Sequence, residues 1–122
     1  IAEFFEIPKN STYSVKLVDP DFYHLDTCFC PLGQDTVMLY PEAIAGGSLS
    51  LLKRNFRVIE VSKDEAFKFA CNSIVVGNKI IMPSGCPDLK CKLQQLGFEI
   101  AELNYDEFFK AGGGLRCCFL RL

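Results

Sequence analysis

Ser73-Ile74-Val75-Val76-Gly77-Asn78-Lys79-Ile80-Ile81-Met82 is the stretch on which the fold turns. Gly77-Asn78 separates two β-forming runs and tolerates the positive φ of a two-residue loop, so the segment predicts antiparallel strands over 73–76 and 79–82. Just downstream, Leu89, Leu93 and Leu96 recur at i, i+4 and i+7, and Gly97 follows them. That spacing predicts a helix over 87–96 with a glycine stop. A β-forming run over 98–103 completes the order hairpin, helix, strand.

Working upstream, the same order appears again. Apolar runs over 27–32 and 36–40 flank Gly33-Gln34-Asp35 and predict a hairpin. Pro41 opens a short helical stretch that Gly46-Gly47 is expected to end. Ser48 then reads as the N-cap of a helix reaching about Asn55, and 56–61 alternates as a strand. A strand over 13–18, broken by Asp19-Pro20-Asp21, precedes the first unit. Ser62-Lys63-Asp64-Glu65 has the S-x-x-E form of a capping box and predicts a helix over 66–70. Beyond the second unit come a predicted helix over 105–111, the triplet Gly112-Gly113-Gly114, and a closing strand over 115–122. Two rounds of one supersecondary order form an internal repeat, and such units bury their apolar faces by adding further copies. The expected fold class is therefore α+β, built from ββαβ repeats.

Composition narrows the function classes. The 122 residues, 49% hydrophobic and 23% charged, suffice for one domain with a buried core. Thirteen basic against fifteen acidic side chains leave a net charge of −2 and no basic stripe, which argues against nucleic acid as a partner. No apolar run approaches the ~20 residues of a membrane span, so no membrane role is expected. Seven cysteines cannot all pair within one chain and lack metal-finger spacings, which favours reduced thiols, a cytoplasmic location and no bound metal. The sequence starts at Ile1 in an apolar run, and the expectation is a piece of a longer protein.

Two segments carry candidate chemistry. Tyr23-His24-Leu25-Asp26-Thr27 holds the sole imidazole, and if the segment is extended, His24 and Asp26 share one face. Gly112-Gly113-Gly114-Leu115-Arg116-Cys117-Cys118 places a thiol after glycines that let backbone and substrate approach closely. Thiolate, imidazole and carboxylate are the parts of a covalent mechanism. Each also has a plainer reading: a structural histidine, a cysteine acting as a small buried hydrophobe, and an ordinary glycine loop.

These two segments, with Ala70-Cys71-Asn72-Ser73 between them, occur in the order seen in the guanidine-modifying (pentein) superfamily, which the chain resembles from about Val18 onward. That superfamily includes dimethylarginine dimethylaminohydrolases, arginine deiminases and amidinotransferases. The resemblance implies a five-bladed α/β propeller. Residues 1–122 would form a single partial domain, its C-terminal portion, with about two ββαβ units plus a closing strand. It also implies that Cys117 is the nucleophile, His24 the acid/base and Asp26 the carboxylate gripping the guanidinium, with Ala111 offering a backbone carbonyl to substrate. Cys118 would be a neighbour turned away by strand alternation, and Arg116 a solvated or ion-paired surface residue. No organic cofactor or metal is implied.

The implied reaction follows from charge. A guanidinium carbon is a poor electrophile, so the site must offer a thiolate, whose formation a nearby cation such as protonated His24 or the substrate itself favours. His24 would protonate the leaving amine and then deprotonate water. The expected activity is that of an amidine hydrolase on C–N bonds of arginine or a methylated arginine, giving citrulline plus an amine or ammonia. An amidinotransferase passing the amidino group to an amine is the alternative. A third reading, of another class, is a non-catalytic half-propeller that serves as an association module. The expected partner is a small guanidino substrate, and an N-terminal half or partner chain would be needed to complete the site.

Overall fold

The computed structural model describes residues 12–104 and 113–119. Two three-stranded sheets organise it. In the first unit, β1 (Phe29–Pro31) pairs antiparallel with β2 (Thr36–Leu39), with Phe29 opposite Leu39. The chain then crosses through a 3₁₀ turn at Pro41–Ala43 and a helix over Gly46–Asn55, and returns as a strand over Arg57–Glu60 that runs parallel to β2. The second unit repeats this plan: an antiparallel hairpin of Ile74–Val76 and Lys79–Pro83, a helix over Pro87–Gln95, and a parallel strand over Glu99–Leu103. Numbered in chain order, one-turn α1 (Leu25–Cys28) precedes β1, α2 and β3 complete the first unit, one-turn α3 (Lys63–Ala66) links the units, and β4, β5, α4 and β6 form the second. Parallel neighbours require such a crossover, and so the hairpin, helix, strand order becomes a ββαβ unit.

The core runs through both units. Val37, Met38, Leu39 and Tyr40 are successive buried residues, which marks β2 as covered on both faces. In the second unit Ile80, Met82, Leu89 and Leu93 are all fully buried. Leu89 and Leu93 are the inward stripe of α4, and Leu96 is half-buried at its end. That helix stops in a Schellman arrangement: Phe98 N donates to Leu93 O at 3.2 Å and Gly97 N to Gln94 O at 2.9 Å, with Gly97 at φ +89°.

Several local expectations are corrected. The segment over 13–18 makes one isolated bridge, Leu17 to Ile44, rather than a strand. Gly46 and Gly47 open α2 instead of ending an earlier helix, and Ser48 Oγ accepts from Lys16 N, outside that helix. The helix expected over 66–70 occupies Lys63–Ala66. Glu65 does not complete a capping box on its own turn. It is buried, and its Oε1 accepts from Asp88 N at 3.0 Å and Leu89 N at 3.1 Å, so it caps α4 across the sequence. The stretch holding His24 and Asp26 is not extended, because Thr27 N and Oγ1 both donate to His24 O and close the turn of α1. The closing strand is replaced over Arg116–Cys118 by a 3₁₀ turn, and the helix expected over 105–111 lies outside the described residues.

Candidate active site

The site is assembled around one buried amide. Between α3 and β4 the chain turns sharply, with Phe69 at φ +60°, and delivers Asn72 into the interior, fully buried. Asn72 Nδ2 donates to Asp26 O at 3.1 Å and to Asp26 Oδ2 at 3.2 Å. Its Oδ1 accepts from Arg116 N at 2.9 Å and Cys117 N at 3.2 Å, and its backbone oxygen also accepts from Arg116 N. An asparagine side chain offers two donors and two acceptor sites, and all four are used here. The two N–H groups that open the 3₁₀ turn are thereby capped by a side chain far away in sequence.

Gly114 explains part of the glycine triplet. A Cβ built on it would lie 2.5 Å from Asn72 Oδ1, a separation that no side chain tolerates. The glycine lets the backbone press against Asn72, and buried Leu115 anchors the next step. The result brings Cys117 Sγ to 3.6 Å from Asp26 Oδ2, across 91 residues of sequence, with the thiol donating to the carboxylate. Cys117 is exposed and Asp26 half-buried.

The other expected site residues stand as follows. His24 is the exposed residue that begins α1, with its ring 4.6 Å from that of Tyr23. Among the described residues no hydrogen bond joins its imidazole to Cys117 or Asp26. The structure therefore brings two of the named groups together and leaves the third two residues away along the chain from Asp26. Ala111 lies outside the described residues. Cys118 is exposed like Cys117, and strand alternation does not separate the pair because the backbone there is a 3₁₀ turn. Arg116 is exposed and lies against Cys30, as well as beside Asp26 in an open cleft of about 380 Å³ lined by Leu25, Asp26, Phe29, Pro31 and Arg116. Asn72 is the residue to which sequence reading gave no role. Its signal is an amide that, with Ser73, interrupts apolar residues on both sides, since a buried polar side chain must find partners.

Of the seven free cysteines, Cys28, Cys30, Cys71 and Cys86 are buried. Burial pushes the Cys30 thiol up to about 11, against a partial offset from the Arg116 guanidinium. Burial likewise lifts Cys28 and Cys86 to about 11, and Cys71 well above the ordinary thiol value. These four are held neutral and packed, whereas Cys117 faces solvent. Among the described residues no three His, Cys, Asp or Glu side chains converge as a metal site, and no helix is long and apolar enough to cross a membrane.

The described chain is thus a pair of ββαβ units with an exposed thiol set against a carboxylate. The chain belongs to the family described as N,N dimethylarginine dimethylhydrolase, eukaryotic, whose model matches residues 10–122. It is 40% identical over 112 residues to the bifunctional arginine dihydrolase/ornithine cyclodeaminase ArgZ of Synechocystis sp., covering 89% of this chain and 16% of that protein. It is 34% identical over 110 residues to the N(G),N(G)-dimethylarginine dimethylaminohydrolase of Mycobacterium tuberculosis, covering 89% of this chain and 36% of the relative. The crystal structure of an asparagine-to-serine mutant of the N-terminal domain of ArgZ, covalently bound to a reaction intermediate, matches with a TM-score of 0.88 at 37% identity, over 95% of this chain and 43% of that one. The chain thus spans less than half the length of each.

Proposed function

We propose that this chain carries the nucleophile and the substrate carboxylate of an amidine hydrolase acting on arginine or a methylated arginine. The observation that carries the reading is the pairing of Cys117 Sγ with Asp26 Oδ2 at 3.6 Å. A guanidinium that pairs with Asp26 through charge-assisted hydrogen bonds is brought beside that sulfur. Its positive charge also offsets the carboxylate that faces the thiol, so the thiolate forms with substrate in place.

The thiolate of Cys117 adds to the guanidinium carbon, and the C–N bond to the departing amine breaks as His24 supplies a proton. The carbon is left bound to sulfur. His24 then removes a proton from water, the hydroxide adds to the same carbon, and the C–S bond breaks to return the thiolate. The products are a ureido compound, citrulline, and ammonia or a methylated amine. His24 must turn its exposed ring toward the sulfur to serve, a side-chain rotation available to an exposed imidazole. The backbone carbonyl of Ala111 would hold a substrate N–H. The covalent intermediate trapped in the ArgZ domain supports the two-step course.

The two ββαβ units would be the C-terminal portion of a five-bladed propeller, with residues 1–122 as a partial domain. The rest of that ring would supply the groups that orient His24 and bind the remainder of the substrate. Free thiols throughout are in keeping with a cytoplasmic setting.

The test is replacement of Cys117 by serine in the full-length protein. Turnover of arginine and of dimethylarginine should vanish, while Cys118→Ser retains substantial activity. Rapid quenching of the wild type should reveal a mass adduct on the peptide containing Cys117. Persistent turnover in Cys117→Ser would end the assignment.

A further inference from the structure

Asp26 and Cys117 belong to different parts of the fold: α1 lies ahead of the first sheet, and the 3₁₀ turn lies beyond the second. No strand ladder sets one against the other. The connection runs through Asn72, whose four hydrogen bonds land on Asp26, Arg116 and Cys117. An asparagine that served only to close a turn would need backbone partners alone. Asn72 also donates to Asp26 Oδ2, the same oxygen that accepts the Cys117 thiol.

We propose that Asn72 is a positioning residue of the amidine hydrolysis: its buried amide fixes the separation of Cys117 Sγ from Asp26 Oδ2 and aims the carboxylate at the incoming guanidinium. The proposal rests on the hydrolase reading above and adds to it the group that makes the juxtaposition rigid. Three features keep the amide from swinging. Its environment is fully buried, Gly114 packs directly on its Oδ1, and its own N–H donates to the carbonyl of Phe69 at 2.9 Å. Phe69 itself sits in the left-handed region, and such conformations persist where the surroundings over-determine them. Because Asn72 donates to the carboxylate, Asp26 is oriented before substrate arrives, which lowers the cost of ordering it at the moment of binding.

The experiment compares wild type, Asn72→Ala and Asn72→Ser in the full-length protein. The serine hydroxyl is a small polar replacement too short to span from the Cys117 turn to Asp26. Each protein is alkylated in parallel with a cationic haloamidine and with neutral iodoacetamide, and the rate at each cysteine is read by peptide mass. Exposed Cys91 is the internal reference. In wild type, Cys117 should favour the cationic reagent over the neutral one by about tenfold more than Cys91 does. In the variants that preference should collapse toward the Cys91 value while the Cys91 rates stay put. Where the variants turn over, kcat should fall about 10²-fold, the scale expected for a displacement near 1 Å, and KM should rise.

A folded variant that keeps the Cys117 preference overturns the proposal. So does a wild type in which Cys117 shows no preference beyond that of Cys91. A wild type with no hydrolytic turnover, yet with a preference that Asn72→Ser abolishes, refutes the hydrolase reading and leaves the positioning role of Asn72 standing.

Discussion

Consider Gly114→Ala. The added methyl would sit 2.5 Å from Asn72 Oδ1 and 2.8 Å from its Cβ and Cγ, where ordinary contact begins at 3.4 Å. Asn72 is buried and hydrogen-bonded on every side, so relief must come from the 114–117 backbone moving away by roughly 0.9 Å, the shortfall between those distances. Such a shift takes the hydrogen bonds from Arg116 N and Cys117 N, at 2.9 and 3.2 Å, out of range. Two lost bonds at about 0.5–1.5 kcal/mol each amount to about 1–3 kcal/mol. Reduced freedom of the unfolded chain returns about 0.4–1 kcal/mol, because Gly114 is not in the left-handed region. The expected net loss lies between about 0 and about 2.6 kcal/mol and centres on about 1.3 kcal/mol, measured as a shift in the urea midpoint of the full-length protein, with turnover down about 10²-fold. Gly113→Ala is the matched control, since its Cβ would meet Cys117 Cβ at an ordinary 3.8 Å. If both variants have the same midpoint and activity, the close approach of Gly114 to Asn72 does not organise the site.

Glu65→Ala should cost about 2–4 kcal/mol in urea unfolding, because it strips a charged acceptor from two N–H groups at the start of α4; a loss below ~0.5 kcal/mol would show that water replaces the cap freely. Stability should also fall with rising alkaline pH. Cys30 is neutral in the fold up to about 11 but ionises near 9.0 when unfolded, so its contribution is complete below 9.0 and declines as pH rises toward 11. At about 1.36 kcal/mol per pH unit this is at most about 2.7 kcal/mol, and Cys28 and Cys86 act in the same direction. Denaturant midpoints from pH 8 to 11 test it: Cys30→Ala should flatten the decline, and an unchanged slope would refute the assignment.

The repeat was legible because its signals are local. Gly77-Asn78, the Leu89 and Leu93 stripe and Gly97 each act within a few residues, and each occupies the structural position its chemistry suggests. What escaped reading depends on distant partners or on competition too fine for pattern. Thr27 and Cys28 resemble strand residues, yet their side chains donate to His24 O and Leu25 O and close a helical turn instead. Glu65 fits a capping box by spacing, but its oxygen serves backbone more than twenty residues on. Leu115 to Cys118 resembles a strand, but the contact with Asn72 bends it into a 3₁₀ turn. In the site, Asp26 and Cys117 carry roles legible in the sequence, whereas Asn72 stands there only as part of the Ala70-Cys71-Asn72-Ser73 segment, because its partners lie more than forty residues away on either side.

The cap that Glu65 places on α4 has a consequence for dividing the molecule. The repeat as read along the chain puts a boundary near Ser73, but the acceptor that satisfies the first amides of the second unit's helix lies ahead of it. A fragment excised at Ser73 would carry a helix with a bare amino end. A graft or permutation that hopes to transplant this unit intact must begin its cut before Ser62, so that the donor segment travels with its anion.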